Sequence, residues 1–384
     1  MAPQQLPAKY PPVPADLTLA QVRAAIPKEM FRQDTLRSLS YLLRDLLQVG
    51  AAFAAMHYLF APALAAMEGV RGEGDAVVRL ARAVAWNVYW FVQGLNFTAL
   101  WILAHEAGHG AFSASKTVNE VVGFVVHSAL LVPYHAWRAS HATHHMFTNH
   151  LDRDTAFVPT KQPGPLQEAV MESPLWSFVM FWFTLLVGWP AYFTFNVWGQ
   201  PNRHLFDKNH FLPSSSLFRP HDAVGVVLSD LGLVAVVGAC VAAALRVGWW
   251  PVAAYYYIPY LWCNAWLVFI TFMHHGDTRV AHFDETNFTY VRGACSTIDR
   301  DYGFVNAWLH YINDSHVVHH LFHEMPFYNA IEVTRRGFVK RLIGPSYACD
   351  TRSIFAQAVD SWRGCSYVVP SEGVAYFRAG APAA

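Results

Sequence analysis

Long apolar runs without charged side chains constrain the fold of this chain most. Four runs contain no Asp, Glu, Lys or Arg, and a fifth contains only one acidic residue; they are residues 46–67, 83–104, 175–198, 247–273 and, with Asp230, 223–245. Each has the length of about 20 apolar residues that a helix needs to cross a hydrocarbon core. So many long apolar helices are not expected in a soluble enzyme, and the sequence predicts an all-α integral membrane protein.

The overall composition agrees with this prediction and excludes other classes. The chain is 54% hydrophobic and 14% charged, and its net charge is zero. Without a basic stripe or a glycine-rich phosphate loop, we expect no nucleic-acid binding. Five cysteines without CxxC spacing predict no disulfide framework. The polar first forty-odd residues resemble neither a signal nor a transit peptide, so we expect the first apolar run to act as the targeting signal.

Three histidine clusters lie beside the apolar runs. They read HEAGH at 105–109, HATHH at 141–145 and HVVHH at 316–320, and they hold eight of the 20 histidines. Spacings of three and four residues place these side chains on one face of a helix. One zinc ion takes four ligands, or three and a water, so eight imidazoles suit two metal ions with open positions. Imidazole binds zinc, copper, iron and nickel, and the residues alone do not identify the metal.

Two other interpretations of the clusters are weaker. HEAGH matches the HExxH string of zinc proteases, with Glu106 as the base, but a protease leaves the six later histidines unexplained. A membrane transporter that uses histidines as a relay would place ionisable groups in the middle of its spans. Here the clusters lie at the ends of the apolar runs, which favours an enzyme.

The predicted topology follows from bringing the three clusters to one side of the membrane. Runs 46–67 and 83–104 form a hairpin that returns the chain to its Lys- and Arg-rich starting side, which is predicted to be cytoplasmic. Three runs separate the second cluster from the third, so one of them does not cross. We assign this role to 175–198, which Pro190 interrupts and which we expect to be interfacial or re-entrant. The stretch 118–134 is too short to cross.

The sequence therefore predicts four transmembrane helices and a cytoplasmic helical cap that holds the metals. The last crossing ends at His274 and His275, so one of this pair is a candidate ninth ligand. We divide the chain into a cytoplasmic N-terminal segment (1–45), a catalytic membrane domain (46–370) and a C-terminal tail (371–384).

The motifs resemble those of the membrane fatty-acid desaturases, most closely the acyl-lipid Δ12/ω3 branch, also called oleate desaturases. The matching strings are HEAGHGAF at 105–112, SHATHHMFTNHLDRDTAFVP at 140–159 and STIDRDYGFVNAWLHYINDSHVVHHLFHEMPFYNA at 296–330. The segment 19–45 also resembles the region before the first span of this branch, so the resemblance covers nearly the whole chain. Ala107 and Gly110 stand where the family string HECGHH has Cys and His, and neither belongs to the HxxxH pair.

The resemblance implies a di-iron centre that uses O2 and two electrons to introduce a cis double bond into an acyl chain. It implies nine histidine ligands: His105, His109, His141, His144, His145, His275, His316, His319 and His320. His275 is preferred to His274 because ITFMHH matches a family run that ends in QH. Carboxylates expected to hydrogen-bond the ligands are Glu106, Asp154, Asp301 and Asp314.

The resemblance also implies a substrate, partners and a location. It favours a C18 monounsaturated chain on a phospholipid or acyl-CoA, desaturated at Δ12 so that oleoyl becomes linoleoyl. An ω3 (Δ15-type) desaturase, a hydroxylase, an epoxygenase and an acetylenase remain alternatives on the same scaffold. The chain contains no dinucleotide fingerprint and no fused haem motif, so electrons are expected from external cytochrome b5 and its NADH-dependent reductase. The expected location is the endoplasmic reticulum membrane, with the metal site facing the cytosol.

Overall fold

Helices make up most of the chain, as the apolar runs predict. The structure, a computed structural model, describes residues 8–378 except 162, 164, 165, 167–169, 171, 172 and 372. The first half contains α1 (Leu19–Ala24), α2 (Thr35–Ala54), α3 (Ala61–Arg71), α4 (Ala76–His109), α5 (Lys116–Ala129), α6 (Tyr134–Met146) and α7 (Pro174–Phe195). The second half contains α8 (Ala223–Val247), α9 (Trp249–Val252), α10 (Ile258–His275), α11 (Tyr290–Cys295), α12 (Phe304–Trp308), α13 (His316–Leu321), α14 (Phe327–Arg335), α15 (Phe338–Ile343) and α16 (Ile354–Gly364). Residues 1–7 and, in the predicted tail 371–384, residues 372 and 379–384 lie outside the described residues.

Helix α4 carries the second apolar run directly into the first histidine cluster. Its 34 residues begin where the Asp75 carboxylate accepts the N–H groups of Val77 and Val78 at 2.8 and 3.3 Å. They end at Gly110, whose φ of 77° is the left-handed conformation that commonly follows a helix. His105 and His109 therefore occupy the last turns of the helix.

The core is built around the pair α4 and α10. These helices pack against each other, α2 and α5 pack on α4, and α7 packs on α10. Buried residues of this core include Leu100, Ile102, Leu267 and Ile270. Leu309, directly after α12, joins them. The two helices that end in histidines are thus held side by side by apolar contacts.

Length and apolarity single out a different set of helices from the predicted one. Among the described residues, three segments are long and apolar enough to cross a membrane: Thr35–Arg71, Pro174–Phe195 and Pro220–Val247; the bent pair α5 and α6, at 107°, would be a fourth. The runs 83–104 and 247–273 are absent from that set. Polar residues such as Gln93, Asn96 and Asn264 lie within them and lower their mean hydropathy. The number of crossings stays a prediction.

Short strands form two small sheets in the part of the chain that the structure describes. β1 (His282–Phe283) and β4 (Val368–Ser371) flank β5 (Val374–Phe377) in an antiparallel sheet, and β2 (Asp299–Arg300) pairs in parallel with β3 (Cys349–Asp350). The all-α prediction did not include them. Elements of two to four residues are too short to show the alternating pattern that indicates a strand.

Candidate metal centre

All nine predicted histidine ligands lie together at the ends of α4, α6, α10 and α13. Their nitrogens form two groups in which the ligand atoms lie within 4.8 Å of one another. The five-histidine group consists of His105, His109, His141, His145 and His319, and the three-histidine group consists of His144, His275 and His320. His316 adjoins the latter, with its Nε2 atom 3.3 Å from that of His275. His275 rather than His274 belongs to a group.

The facing nitrogens fit a metal ion. In the five-histidine group, His141 Nε2 lies 3.1 Å from the Nε2 atoms of His105 and His145, and His109 Nε2 lies 3.2 Å from that of His105. A neutral imidazole has one N–H and one lone pair, so several rings cannot all satisfy one another through nitrogens that converge on one point. A cation at that point would accept the lone pairs, and this donor set suits it.

Helix α6 joins the two groups. His141 and His145 are four residues apart and enter the five-histidine group, whereas His144 points to the three-histidine group. The rings of His145 and His320, one from each group, stack with centroids 4.2 Å apart and an interplanar angle of 11°. The groups are therefore adjacent, as a two-metal site requires.

Burial keeps the imidazoles of the third cluster neutral. It lowers the pKa of His319 to about 3, with a smaller contribution from His323 and His144. Burial likewise lowers the pKa of His316 and His320 well below the ordinary value. Neutral imidazole is the form that binds metal, so these three ligands are in the metal-binding form at physiological pH.

Directed hydrogen bonds orient the three-histidine group. The Nδ1–H of His144 donates to the Asp154 carboxylate at 2.7 Å, which leaves Nε2 as the metal-binding atom. Asp154 is itself fixed by the backbone N–H of Asn149 at 2.8 Å. Thr148 Oγ1 lies 3.0 Å from His320 Nδ1. Such partners set the ring orientation of metal ligands.

The five-histidine group has a carboxylate neighbour at longer range. Buried Glu106 lies 3.8 Å from His105 Nδ1 and 3.9 Å from His319 Nδ1, beyond hydrogen-bond distance. Its other oxygen accepts the backbone N–H of Phe327 at 2.9 Å. Burial raises the pKa of Glu106 to about 8, so Glu106 is a nearby and mostly protonated carboxyl group that does not fix a ring.

Two of the predicted carboxylates are not brought to the histidines. Asp301 is exposed, and it accepts the N–H of Gly303 at 2.8 Å and the amide of Asn306 at 3.0 Å. Asp314 is half-buried before α13, and burial raises its pKa to about 7. Among the described residues, neither hydrogen-bonds a histidine.

The residues just before Asp301 instead position the ligand helices. The Asp299 carboxylate accepts the N–H of Val317 at 2.8 Å, at the start of α13. The fully buried Arg300 guanidinium donates to the carbonyl groups of Met273, at 2.6 Å, and Gly276, at 3.4 Å, at the end of α10. Strand β2 therefore ties together the helix carrying His275 and the helix carrying the third cluster. The DRDYG string was the available signal, and sequence reasoning singled out Asp301 and missed the positioning role of Asp299 and Arg300.

Arg300 also belongs to a buried ionic network. It contacts Asp277 at 2.9 Å, and Arg279 bonds both Asp277 and Asp350. Arg352 also bonds Asp350, at 2.8 Å, and Asp360, at 2.6 Å, so three arginines and three aspartates balance in charge, which makes the burial of the inner members tolerable. Sequence reasoning also missed His323, which is near the metal centre. The centroid of its ring lies 5.1 Å from that of His109, but His323 belongs to neither histidine group.

A cavity of about 70 Å³, here called the metal-side cavity, lies against the histidines. Seven histidines form part of its wall: His105, His141, His144, His274, His275, His316 and His320. The remaining wall is largely aromatic and aliphatic and includes Trp101, Ile102, Trp189, Val268 and Ile270. An apolar substrate could reach the site here without placing polar groups in a dry environment.

Comparisons with known proteins agree with this geometry. The family model described as fatty acid desaturase matches residues 83–347. A Delta(12) fatty acid desaturase of Mortierella isabellina is 37% identical, over 94% of this chain and 91% of its own length. A Delta(12)-acyl-lipid-desaturase of Punica granatum is 36% identical, over 96% and 90%. An oleate hydroxylase of Claviceps purpurea is 36% identical, over 95% and 81%.

Proposed function

This chain belongs to the fatty acid desaturase family, and on that premise we propose that it is a Δ12 acyl-lipid desaturase that converts an oleoyl chain into a linoleoyl chain. One observation carries the proposal: two adjacent histidine groups form one wall of an otherwise apolar cavity. Relatives of nearly equal length that are named Δ12 desaturases support the position of the double bond.

The proposed reaction requires two iron ions, and the nine histidines would bind them. Two adjacent methylenes, O2, two electrons and two protons give one cis double bond and two waters. Bound iron supplies the oxidation by O2, because no side chain can remove hydrogen from an unactivated methylene. The protein's own part is to keep the imidazoles of the third cluster neutral, to orient His144 through Asp154 and His320 through Thr148, and to exclude water.

Substrate binding would come from apolar contacts. Each buried methylene contributes roughly 0.8 kcal/mol, and the metal-side cavity offers side chains such as Trp101 and Ile270 for such contacts. Electrons would arrive from cytochrome b5 and its NADH-dependent reductase at the cytosolic face. We propose the endoplasmic reticulum membrane as the location.

The proposed topology keeps four crossings, with α7 interfacial or re-entrant. Two contacts support this. Trp362 on α16 donates to Ser177 Oγ at the start of α7, at 2.8 Å, and Gln200 in the segment after α7 donates to the Leu151 carbonyl at 3.2 Å. A glycosylation sequon inserted beside Asp207 should stay unmodified in microsomes. Its glycosylation would place that loop in the lumen and refute the scheme.

Expression in a yeast that lacks polyunsaturated fatty acids tests the activity. Gas chromatography should detect linoleate made from the yeast's own oleate. A triene made only from supplied linoleate would indicate an ω3 desaturase instead. The Claviceps relative favours a second candidate, an oleate hydroxylase, and a hydroxylated C18 acid as the main product would identify it.

A further inference from the structure

A second cavity lies next to the metal-side cavity. This cavity, here called the vestibule, has a volume of about 220 Å³ and is lined by the start of α7 and by residues around the end of α16. Three residues belong to the walls of both cavities: Phe157, Trp198 and His275. The two spaces are therefore neighbours separated by side chains rather than by a helix.

Phe157 and Trp198 form this partition under unusual backbone conformations. Their φ angles are 53° and 60°, a region that bulky residues rarely adopt and keep only where the surrounding structure fixes them. The Val158 N–H donates to the Trp198 carbonyl at 2.8 Å and so joins the two segments. The Trp198 ring also lies against Gly188, where an added Cβ would come within 2.7 Å of it.

The partition is attached directly to the three-histidine group. The Phe157 ring stacks on that of His275 with centroids 5.2 Å apart and an interplanar angle of 9°. A chain that passes between Phe157 and Trp198 would therefore arrive beside His275. Residues that narrow this passage would control which part of the chain lies next to the histidines.

The two cavities differ in polarity. The vestibule wall includes the hydroxyl groups of Thr160, Ser177 and Ser366. Apart from its histidines, the metal-side cavity is mainly aliphatic and aromatic. An ester needs hydrogen-bond donors when it leaves water, whereas methylenes gain from apolar walls. The polarity therefore orients an acyl ester, with its carbonyl end in the vestibule.

We propose that the two cavities are consecutive parts of one acyl channel and that the Phe157–Trp198 partition determines the site of desaturation. The ester end of the acyl chain lies in the vestibule, and the methyl half passes the partition into the metal-side cavity. This inference rests on the proposed function, because it assumes an acyl-lipid substrate.

Two variants test the role of the partition in specificity. Trp198→Ala and Phe157→Leu should retain iron and desaturate, but the chain should slide by one or more methylenes. Discrimination between adjacent positions should fall at least about tenfold, the value of one methylene in a fitted pocket. Gas chromatography with mass spectrometry of derivatised lipids would locate the double bonds. Trp182→Ala is the matched control, because Trp182 lies on α7, is 49% exposed and lines neither cavity.

Photolabelling tests the path without requiring turnover. The full chain in detergent would be labelled with oleoyl phosphatidylcholine carrying a diazirine near either the ester or the methyl end. The ester-side probe should label peptides containing Thr160 or Ser366, and the methyl-side probe those containing Trp101 or Ile270. A reversed pattern, or unchanged regioselectivity in both iron-loaded variants, would overturn the proposal. Correct labelling with a product other than linoleate would instead reject the proposed function and leave the channel standing.

Discussion

The two histidine groups differ in what holds them in place. In the five-histidine group, four members are pairs spaced by four residues, on α4 and α6, and two of the five are only half-buried. In the three-histidine group, every member comes from a different helix and all three are buried. The first group depends mainly on helix geometry. The second depends on tertiary contacts, which makes it more sensitive to changes outside the ligands.

Removal of one ligand from the smaller group should have the largest effect. His144→Ala leaves that group with His275 and His320, so we expect complete loss of activity and a fall from two irons to one per chain. Metal analysis and turnover of the purified variant would measure both. His221→Ala is a suitable control, since this side chain is 72% exposed and distant in sequence from all three clusters. Wild-type turnover by His144→Ala would contradict the ligand assignment.

Arg300→Met tests the dependence on tertiary contacts. It removes one of the two arginines that bond Asp277 and the donor to the carbonyl groups at the end of α10, so unfolding should become easier by about 3 kcal/mol. Iron should be lost from the three-histidine group before the five-histidine group. Thermal unfolding with parallel metal analysis would check this. Arg336→Met removes an exposed ion pair with Glu332 and should change stability by about 1 kcal/mol or less. Equal destabilisation by the two variants would be incompatible with the proposed role of Arg300.

Substitution of the carboxyl groups near the two histidine groups should have smaller effects on iron binding and activity, and the two effects should be unequal. Asp154→Asn weakens a 2.7 Å bond to His144 and should lower iron affinity or activity roughly 10- to 100-fold. Glu106→Gln should cost less, because Glu106 lies beyond hydrogen-bond distance of both nearby imidazoles. Iron titration of the two variants against wild type would compare them. A larger loss for Glu106→Gln would reverse the comparison.

The sequence predicted the five-histidine group better than its surroundings. Spacing within α4 and α6 already places His105 with His109 and His141 with His145, because a helix repeats every 3.6 residues. The positions of Asp299 and Arg300 depend on β2 pairing with β3 about fifty residues later, which no local pattern encodes. For the same reason, no local pattern distinguishes Asp154 from Asp301 as a hydrogen-bond partner of a histidine.

The apolar runs predicted helices more reliably than they predicted crossings. Helix α4 is a central element of the core, although polar residues reduce its apolarity. Conversely, α7 is strongly apolar, yet its start bonds Trp362 on α16 and the segment that follows it bonds the loop after α6. Hydropathy measures the side chains of a segment, whereas crossing also depends on where its ends are held.

Mössbauer spectroscopy of the purified, iron-57-loaded protein, together with its iron content, tests the two-group description most directly. The unequal histidine groups predict two irons per chain in two distinct environments, seen as two quadrupole doublets of equal area. His144→Ala should remove one doublet and leave the other. One iron per chain, or zinc in place of iron with full activity, would contradict a di-iron centre built from these two groups.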